Sequence, residues 1–221
     1  MAIQLEKGQK IDLTKSSGSS LEKFCVGVNW GAIETTKKGL LGKKITKTEV
    51  DLDLSCIMLF ADGERWDHLY SPLYDHESLR KLGLPHGKLV SADGALRHSG
   101  DDLTGDMDGD DGLDNEIISV DLKRVSPDID RIFFFINNVG EEDFSLIPFA
   151  KIRMYEGTPE RVDKVHAEFD VVSNPSYQGK KAMIMGKLYR RGSQWKFAAI
   201  GDATDDGHFA ASIVNIFKNY A

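Results

Sequence analysis

Hydrophobic residues along the chain recur mostly at every second position, in short runs separated by Gly, Pro, Asn or Asp, a pattern typical of β-strands. The clearest run is residues 50–60, in which alternate apolar residues share one face. The other face begins polar, with Asp51, Asp53 and Ser55, and turns apolar towards Phe60. This asymmetry predicts that the polar end of the strand lies at a site or at the surface.

Ten further runs are predicted to be strands: residues 11–15, 24–30, 66–70, 95–98, 117–122, 132–138, 149–155, 165–172, 182–190 and 195–200. Two segments have a helical period instead: residues 208–221, with Asp206 placed to cap the start, and residues 75–82, ended by Gly83. Long helices do not alternate with the strands, which argues against a βαβ fold. The chain is therefore predicted to be mainly β: one antiparallel β-sandwich domain over residues 1–221, with a short helix before the acidic loop and a C-terminal helix.

Charge changes this picture in one place. The net charge is −7, yet residues 101–116 hold eight of the 35 acidic residues and no Lys or Arg. The other 27 acidic residues are balanced by the 28 basic ones. The excess of negative charge therefore has a local cause, in a loop over residues 100–116.

Such a loop could be a solvated disordered stretch, a docking surface for a basic partner, or a cage for a hard cation. Glycines at 100, 105, 109 and 112 permit tight turns, and predicted strands anchor both ends, which favours the cage. Calcium takes six to eight oxygen ligands, so the loop suits one or two calcium ions better than magnesium. The EF-hand pattern fails, since Asp111 and Ile117 occupy its glycine and glutamate positions.

Other features restrict the function less. Residues 35–47 form a basic, glycine-punctuated segment, predicted to be a mobile solvated loop or, as the alternative, a contact for anionic lipid or phosphate. Cys25 and Cys56 lie in apolar surroundings and are predicted to be buried reduced thiols. The sequence shows no signal peptide and no apolar run long enough to span a bilayer, so we expect a cytoplasmic protein that is free or peripheral at the inner face of the membrane.

Several stretches together resemble the TerD family of tellurium-resistance and stress-response proteins: LEKGQKIDLTK, VGVNW, DLDLSCIMLFADG, HSGDDLTGDMDGDDGLDNEIISVDLKRV and GKLYRRGSQWKFAAIGDA. The GDDLTGDMDGDD block is the specific one, and the motifs run in order from Leu5 to about Asp202. The resemblance implies a calcium-binding β-sandwich in a bacterial cytoplasmic system that responds to tellurite, phage and other stress. It implies a calcium-dependent binding or scaffold protein without enzymatic activity, whose partners are other stress-response proteins and a membrane partner.

Carried over position by position, the resemblance implies ten metal ligands or close supports. They are Asp51, Asp53, Asp101, Asp102, Leu103 (through its backbone carbonyl), Asp106, Asp108, Asp110, Asp111 and Glu116. The chain departs from the family pattern at residues 112–115, which precede the glutamate, and in the longer segment 71–88. The basic segment 35–47 and the C-terminal helix are further elaborations of that pattern. The departure at 112–115 leaves the roles of Asp114 and Glu116 open.

A second function class is a metal-dependent phosphoester hydrolase that uses the acidic loop to activate water. His98 and Ser99 lie close to the loop, but the six histidines show no metal-ligand spacing and no triad can be assembled. Nucleic-acid binding is not expected, because the chain lacks a basic stripe with interleaved aromatic residues. The sequence therefore favours a calcium-dependent binding module over an enzyme.

Overall fold

The computed structural model describes residues 2–15, 18–39, 42–172 and 175–221, with the backbone alone for residues 36–39, 42 and 43. The elements of these residues are β1 (Ile3–Gln4), β2 (Lys10–Asp12), β3 (Lys23–Trp30), β4 (Ile33–Gly39), β5 (Gly42–Thr48), β6 (Leu52–Leu59), β7 (Arg65–Leu69), α1 (His76–Lys81), β8 (Leu96–His98), β9 (Glu116–Asp121), β10 (Arg131–Asn138), β11 (Ala150–Thr158), β12 (Arg161–Asp170), β13 (Ala182–Arg191), β14 (Gln194–Thr204) and α2 (Phe209–Asn219). Among them, no helix has the length and apolar character needed to cross a membrane.

Two six-stranded sheets form the body of the protein. The first has the order β1-β12-β11-β3-β9-β8 and the second β2-β14-β13-β10-β6-β7. One apolar core contains residues of both sheets, such as Val28 and Ile118 of the first and Leu54 and Phe134 of the second. The predicted mainly β, sandwich-like fold is confirmed. All strand pairs within these two sheets are antiparallel except β1 with β12, which are parallel.

Strand β6 is buried on both of its faces, which explains its unusual sequence. One face contributes to the core between the sheets. On the other face, Ile57 and Leu59 pack with Leu79 of α1 and Ile213 of α2 in a second apolar cluster. The two helices thus cover the outside of the second sheet. Where the helices cover β6, that strand needs apolar side chains on both faces.

The two predicted helices are present, but one cap differs from the prediction. Asp75 caps α1, its side chain accepting a hydrogen bond from the Ser78 N–H at 2.8 Å. The prediction that Asp206 caps the C-terminal helix is wrong. His208 is the cap, with Nδ1 accepting from the Ala211 N–H at 3.2 Å, while Asp206 accepts from the Asn215 side chain at 3.0 Å.

The basic segment was predicted to be a loop, and that prediction is wrong. Residues 33–39 and 42–48 form the antiparallel strands β4 and β5, a two-stranded sheet of its own that we call the β4–β5 hairpin. Glycines and lysines conceal any apolar alternation there, whereas Thr35, Ile45 and Thr46 favour extended backbone. Residues 40 and 41, and the side chains of Lys37, Lys38 and Lys43, lie outside the described residues. Cys25 and Cys56 are buried and free, as predicted.

Candidate metal centre

Three acidic side chains from different elements meet where the acidic loop joins the sandwich. Asp53 comes from β6, Asp101 from the loop after β8, and Glu116 is the first residue of β9. Each offers one oxygen, and these oxygens all lie within 4.8 Å of one another. Asp53 and Glu116 are 3% and 0% exposed. We call these three residues the inner cluster.

Glu116 belongs to the first sheet but binds the edge of the second. Strand β7 pairs with β6 only from Cys56 onwards, which leaves the backbone of Leu54 at a free edge. The Leu54 N–H donates to Glu116 Oε2 at 2.7 Å, and the Asp102 N–H donates to Oε1 at 3.0 Å. The carboxylate therefore satisfies two backbone donors and joins the two sheets at this corner.

His98 also binds the free edge of β6, and both of its ring nitrogens form hydrogen bonds with backbone groups. Its Nδ1 accepts from the Gly100 N–H at 3.1 Å, which leaves Nε2 as the donor to the Leu54 carbonyl at 2.8 Å. Both nitrogens are engaged with backbone, so the ring is placed for structure. This arrangement argues against His98 as the general base of a hydrolase.

The inner cluster concentrates negative charge that the described protein groups do not neutralise. Burial, with the charge of Glu116, raises the pKa of Asp53 to about 9, although the Tyr74 hydroxyl donates to that carboxylate and opposes the shift. Burial and the charge of Asp101 raise the pKa of Asp51 to about 6. Burial also raises the pKa of Glu116, with His98 opposing it. Several carboxylates buried close together are unfavourable as anions. We therefore expect the cluster to bind either a proton or a cation.

Unsatisfied oxygens show what kind of group would fit. Ser71 donates to Asp101 Oδ2 at 2.8 Å, whereas Asp101 Oδ1 and Asp51 Oδ1 are buried without any hydrogen-bond donor among the described residues. A buried carboxylate oxygen normally has a donor or a metal. The donor set consists of carboxylates alone, which suits a hard cation such as calcium.

A second group, the outer cluster, consists of Asp106, Asp110 and Asp111, whose oxygens also lie within 4.8 Å of one another. It is half-buried to exposed, and protein donors occupy part of it. Asn115 donates to Asp106 Oδ1 and Asn29 to Asp110 Oδ1, each at 3.0 Å. The outer cluster therefore has protein donors at these two oxygens, whereas Asp101 Oδ1 of the inner cluster has none among the described residues.

The remaining predicted ligands are divided by the fold. Asp102 lies beside the inner cluster, where its Oδ1 accepts from the Thr104 and Gly105 N–H groups and closes a turn. Asp108 is fully exposed and pairs with Lys47 at 2.9 Å, in neither cluster. Leu103 is half exposed and has no described contact with either cluster. The structure therefore brings six of the ten predicted residues into two groups and places Asp51 and Asp102 next to the inner one.

Asp114, which the sequence left open, has a structural partner. Its side chain is 0% exposed and forms an ion pair with Arg153 of β11 at 2.7 Å. Burial raises the pKa of Asp114 to about 6, with Arg153 opposing the shift. Gly27 makes room for it, because a Cβ there would lie 2.1 Å from Asp114 Oδ2. Sequence spacing gave no sign of Arg153, or of Asn29, since both are distant in the chain.

Asp114→Ala is expected to lower the free energy of unfolding by about 3 kcal/mol, because it leaves Arg153 unpaired near a buried position. Chemical denaturation measures this loss. Asp108→Ala, at an exposed ion pair of the same loop, is the matched control and should change stability by less than about 0.5 kcal/mol. Both variants should keep the metal stoichiometry of the parent. A folded Asp114→Ala protein without metal binding would instead place Asp114 among the ligands.

Comparison with known proteins gives a consistent set of relatives. A family model described as the TerD domain matches residues 1–217. The chain is 34% identical over 212 residues to stress response protein SCP2 of Bacillus subtilis (strain 168), covering 93% of this chain and 94% of that protein. It is 29% identical over 202 residues to tellurium resistance protein TerZ of Serratia marcescens, with coverage of 91% and 90%.

The fold is also found in a solved structure. The crystal structure of a homologue of telluride resistance protein (TerD) from Streptomyces coelicolor A3(2) aligns with a TM-score of 0.54 and 17% sequence identity. The alignment covers 87% of this chain and 96% of that one. At this identity the likeness concerns the fold alone.

Proposed function

We propose that this chain, which belongs to the TerD domain family of tellurium-resistance and stress-response proteins, binds calcium at the inner cluster and acts as a calcium-dependent binding module without catalytic activity. One observation carries the proposal. Asp53, Asp101 and Glu116 converge from two sheets and a loop, and a buried oxygen of Asp101 there has no protein donor. Such an arrangement is costly unless a cation compensates it.

In this proposal Asp53, Asp101 and Glu116 hold the ion, with Asp51 beside them. Calcium supplies positive charge and a demand for several oxygens, which neutralises the cluster. The chain's own residues do the rest: Glu116 stays fixed by two backbone donors, and Ser71 orients Asp101. The outer cluster is the candidate for a second ion.

The role of calcium is to order the acidic loop. Asp101 and Glu116 lie at its two ends, so an ion between them ties both ends to Asp53 of β6. A ligand that binds the ordered loop better than the disordered one shifts the protein towards the ordered state. The ordered surface then docks a partner. We propose that the protein is cytoplasmic and that its partners are other stress-response proteins and a membrane partner. This proposal rests on the sequence resemblance.

Calorimetric titration of chelator-stripped protein tests the site. We expect calcium to bind at one or two sites, with magnesium much weaker because it demands a tighter octahedral geometry. At calcium a hundredfold above its dissociation constant, binding should add about 2.7 kcal/mol of stability. For a chain of this size, that raises the melting temperature by about 5–10 °C. Absence of calcium heat together with an unchanged melting temperature would refute the proposal.

A further inference from the structure

The β4–β5 hairpin is an unusual element of this fold. Its strands pair only with each other among the described residues, and a two-stranded ribbon alone is marginally stable in water. Residues 33–48 contain five lysines and a single acidic residue, Glu34, in a chain whose net charge is −7. This ribbon is therefore a local basic element on an acidic protein.

The backbone pairing register places lysine positions opposite each other. Lys37 is opposite Lys44, and Lys38 is opposite Lys43. Directly opposed like charges destabilise an antiparallel pair. The one acidic residue, Glu34, lies nearer the root, opposite Lys47. A register that pairs lysine positions favours an anionic partner at the outer half of the ribbon.

The root of the hairpin is fastened to the acidic loop. Ala32, just before β4, donates its N–H to the Asp106 carbonyl at 3.1 Å, and Val50, just after β5, donates to the Thr104 carbonyl at 3.3 Å. Lys47 donates to the Met107 carbonyl and pairs with Asp108 at 2.9 Å. The orientation of the hairpin therefore depends on the order of the loop.

We propose that the β4–β5 hairpin is a docking surface for an anionic phospholipid membrane. Positive charge with an exposed apolar residue suits the headgroup region of such a membrane, and here Ile45, beside exposed Lys44, is 58% exposed. Residues 33–48 contain no aromatic side chain on which a nucleic-acid base could stack. Exposed acids near the root, such as Asp108, would repel a polyanion lying along the body of the protein.

Calcium is expected to strengthen this docking, because the loop that it orders holds both sides of the hairpin root. This dependence on calcium rests on the proposed function. The basic surface itself does not, since it follows from the strand register and the sequence.

Vesicle co-sedimentation of the full chain tests the proposal. Vesicles of phosphatidylcholine with about one third phosphatidylglycerol are compared with pure phosphatidylcholine, in calcium and in chelator. Each lysine near an anionic surface strengthens binding about fivefold, so K37Q/K38Q/K43Q/K44Q should weaken it several hundredfold. The matched control is K7Q/K23Q/K81Q/K123Q, which makes the same charge change at exposed lysines elsewhere and should bind as the parent does.

The expected result is binding to the anionic vesicles alone, lost in the hairpin variant, kept in the control variant and restored by arginine at the same four positions. Equal binding to neutral vesicles, or equal loss in both glutamine variants, overturns the docking surface. Calorimetry on the same samples separates the two proposals. Calcium binding without vesicle binding refutes the docking surface. Vesicle binding without calcium binding refutes the calcium site and supports the docking surface.

Discussion

Asp53→Asn is expected to weaken calcium binding by at least about a hundredfold while leaving the metal-free protein folded and at least as stable as the parent near neutral pH, because asparagine takes up no proton on folding. The substitution removes a charged ligand. Even the loss of a residue that only supports a metal ligand lowers metal affinity about ten- to a hundredfold. It spares the metal-free fold because the raised pKa, about 9, already keeps this carboxyl protonated there. The asparagine oxygen can still accept from the Tyr74 hydroxyl. Calorimetry and thermal melts in chelator measure both effects.

The pH dependence gives a second readout of the same residue. The pKa of Asp53 rises from its ordinary value of 3.8 to about 9, so between these values the folded metal-free chain holds a proton that the unfolded chain has released. The stability that this proton contributes is complete at low pH and is lost as pH rises through the folded pKa. Calcium must displace the proton, so its affinity should increase from about pH 6 to about pH 8 in the parent. The increase should be smaller in Asp53→Asn.

Asp108→Asn is the matched control, since it removes the same charge from the same acidic region outside both clusters. It should reduce calcium affinity only slightly, through the long-range field. If both variants lose the same affinity, the loop acts as a diffuse anionic surface and the inner cluster is not a site. If Asp53→Asn unfolds the protein in chelator, the main role of Asp53 is to stabilise the fold and not to bind metal.

Glu116→Ala is expected to lower the free energy of unfolding by about 3 kcal/mol even without metal, and to abolish calcium binding as well. It leaves the buried Leu54 N–H and the Asp102 N–H without an acceptor, at about 1–3 kcal/mol for each unsatisfied group, and relief of charge repulsion offsets part of that. The corner where the first sheet binds the edge of β6 would open. Denaturant titration in chelator measures the loss.

Glu116→Gln separates the two roles of this residue. Its amide keeps one acceptor oxygen and the volume of the side chain, so we expect a stability loss of only about 1 kcal/mol. Calcium binding should still fall about as far as in the alanine variant, because the charge is gone. A Glu116→Ala protein as stable as the parent would show that the Leu54 edge does not depend on this carboxylate.

The sequence predicted the mainly β fold because strand periodicity is local. A strand with one face in the core must alternate, and each of the eleven runs identified by alternation overlaps a strand. Periodicity did not reveal the β4–β5 hairpin, because neither of its strands lies in the two sheets of the sandwich, whose core imposes the alternation. The cap of α2 was missed because two polar residues, Asp206 and His208, lie close enough to compete for that position.

The sequence by itself determined which residue types were available: a run of acids, interrupted by glycines, between two strands. Only the tertiary structure decided how they are grouped. Strand pairing brings Asp53 to Asp101 and Glu116, and directs Asp114 to Arg153 instead. It also exposes Asp108 to solvent. The physical reason is that both a metal site and an ion pair depend on distances of a few ångströms between atoms far apart in the chain, and packing alone sets those distances.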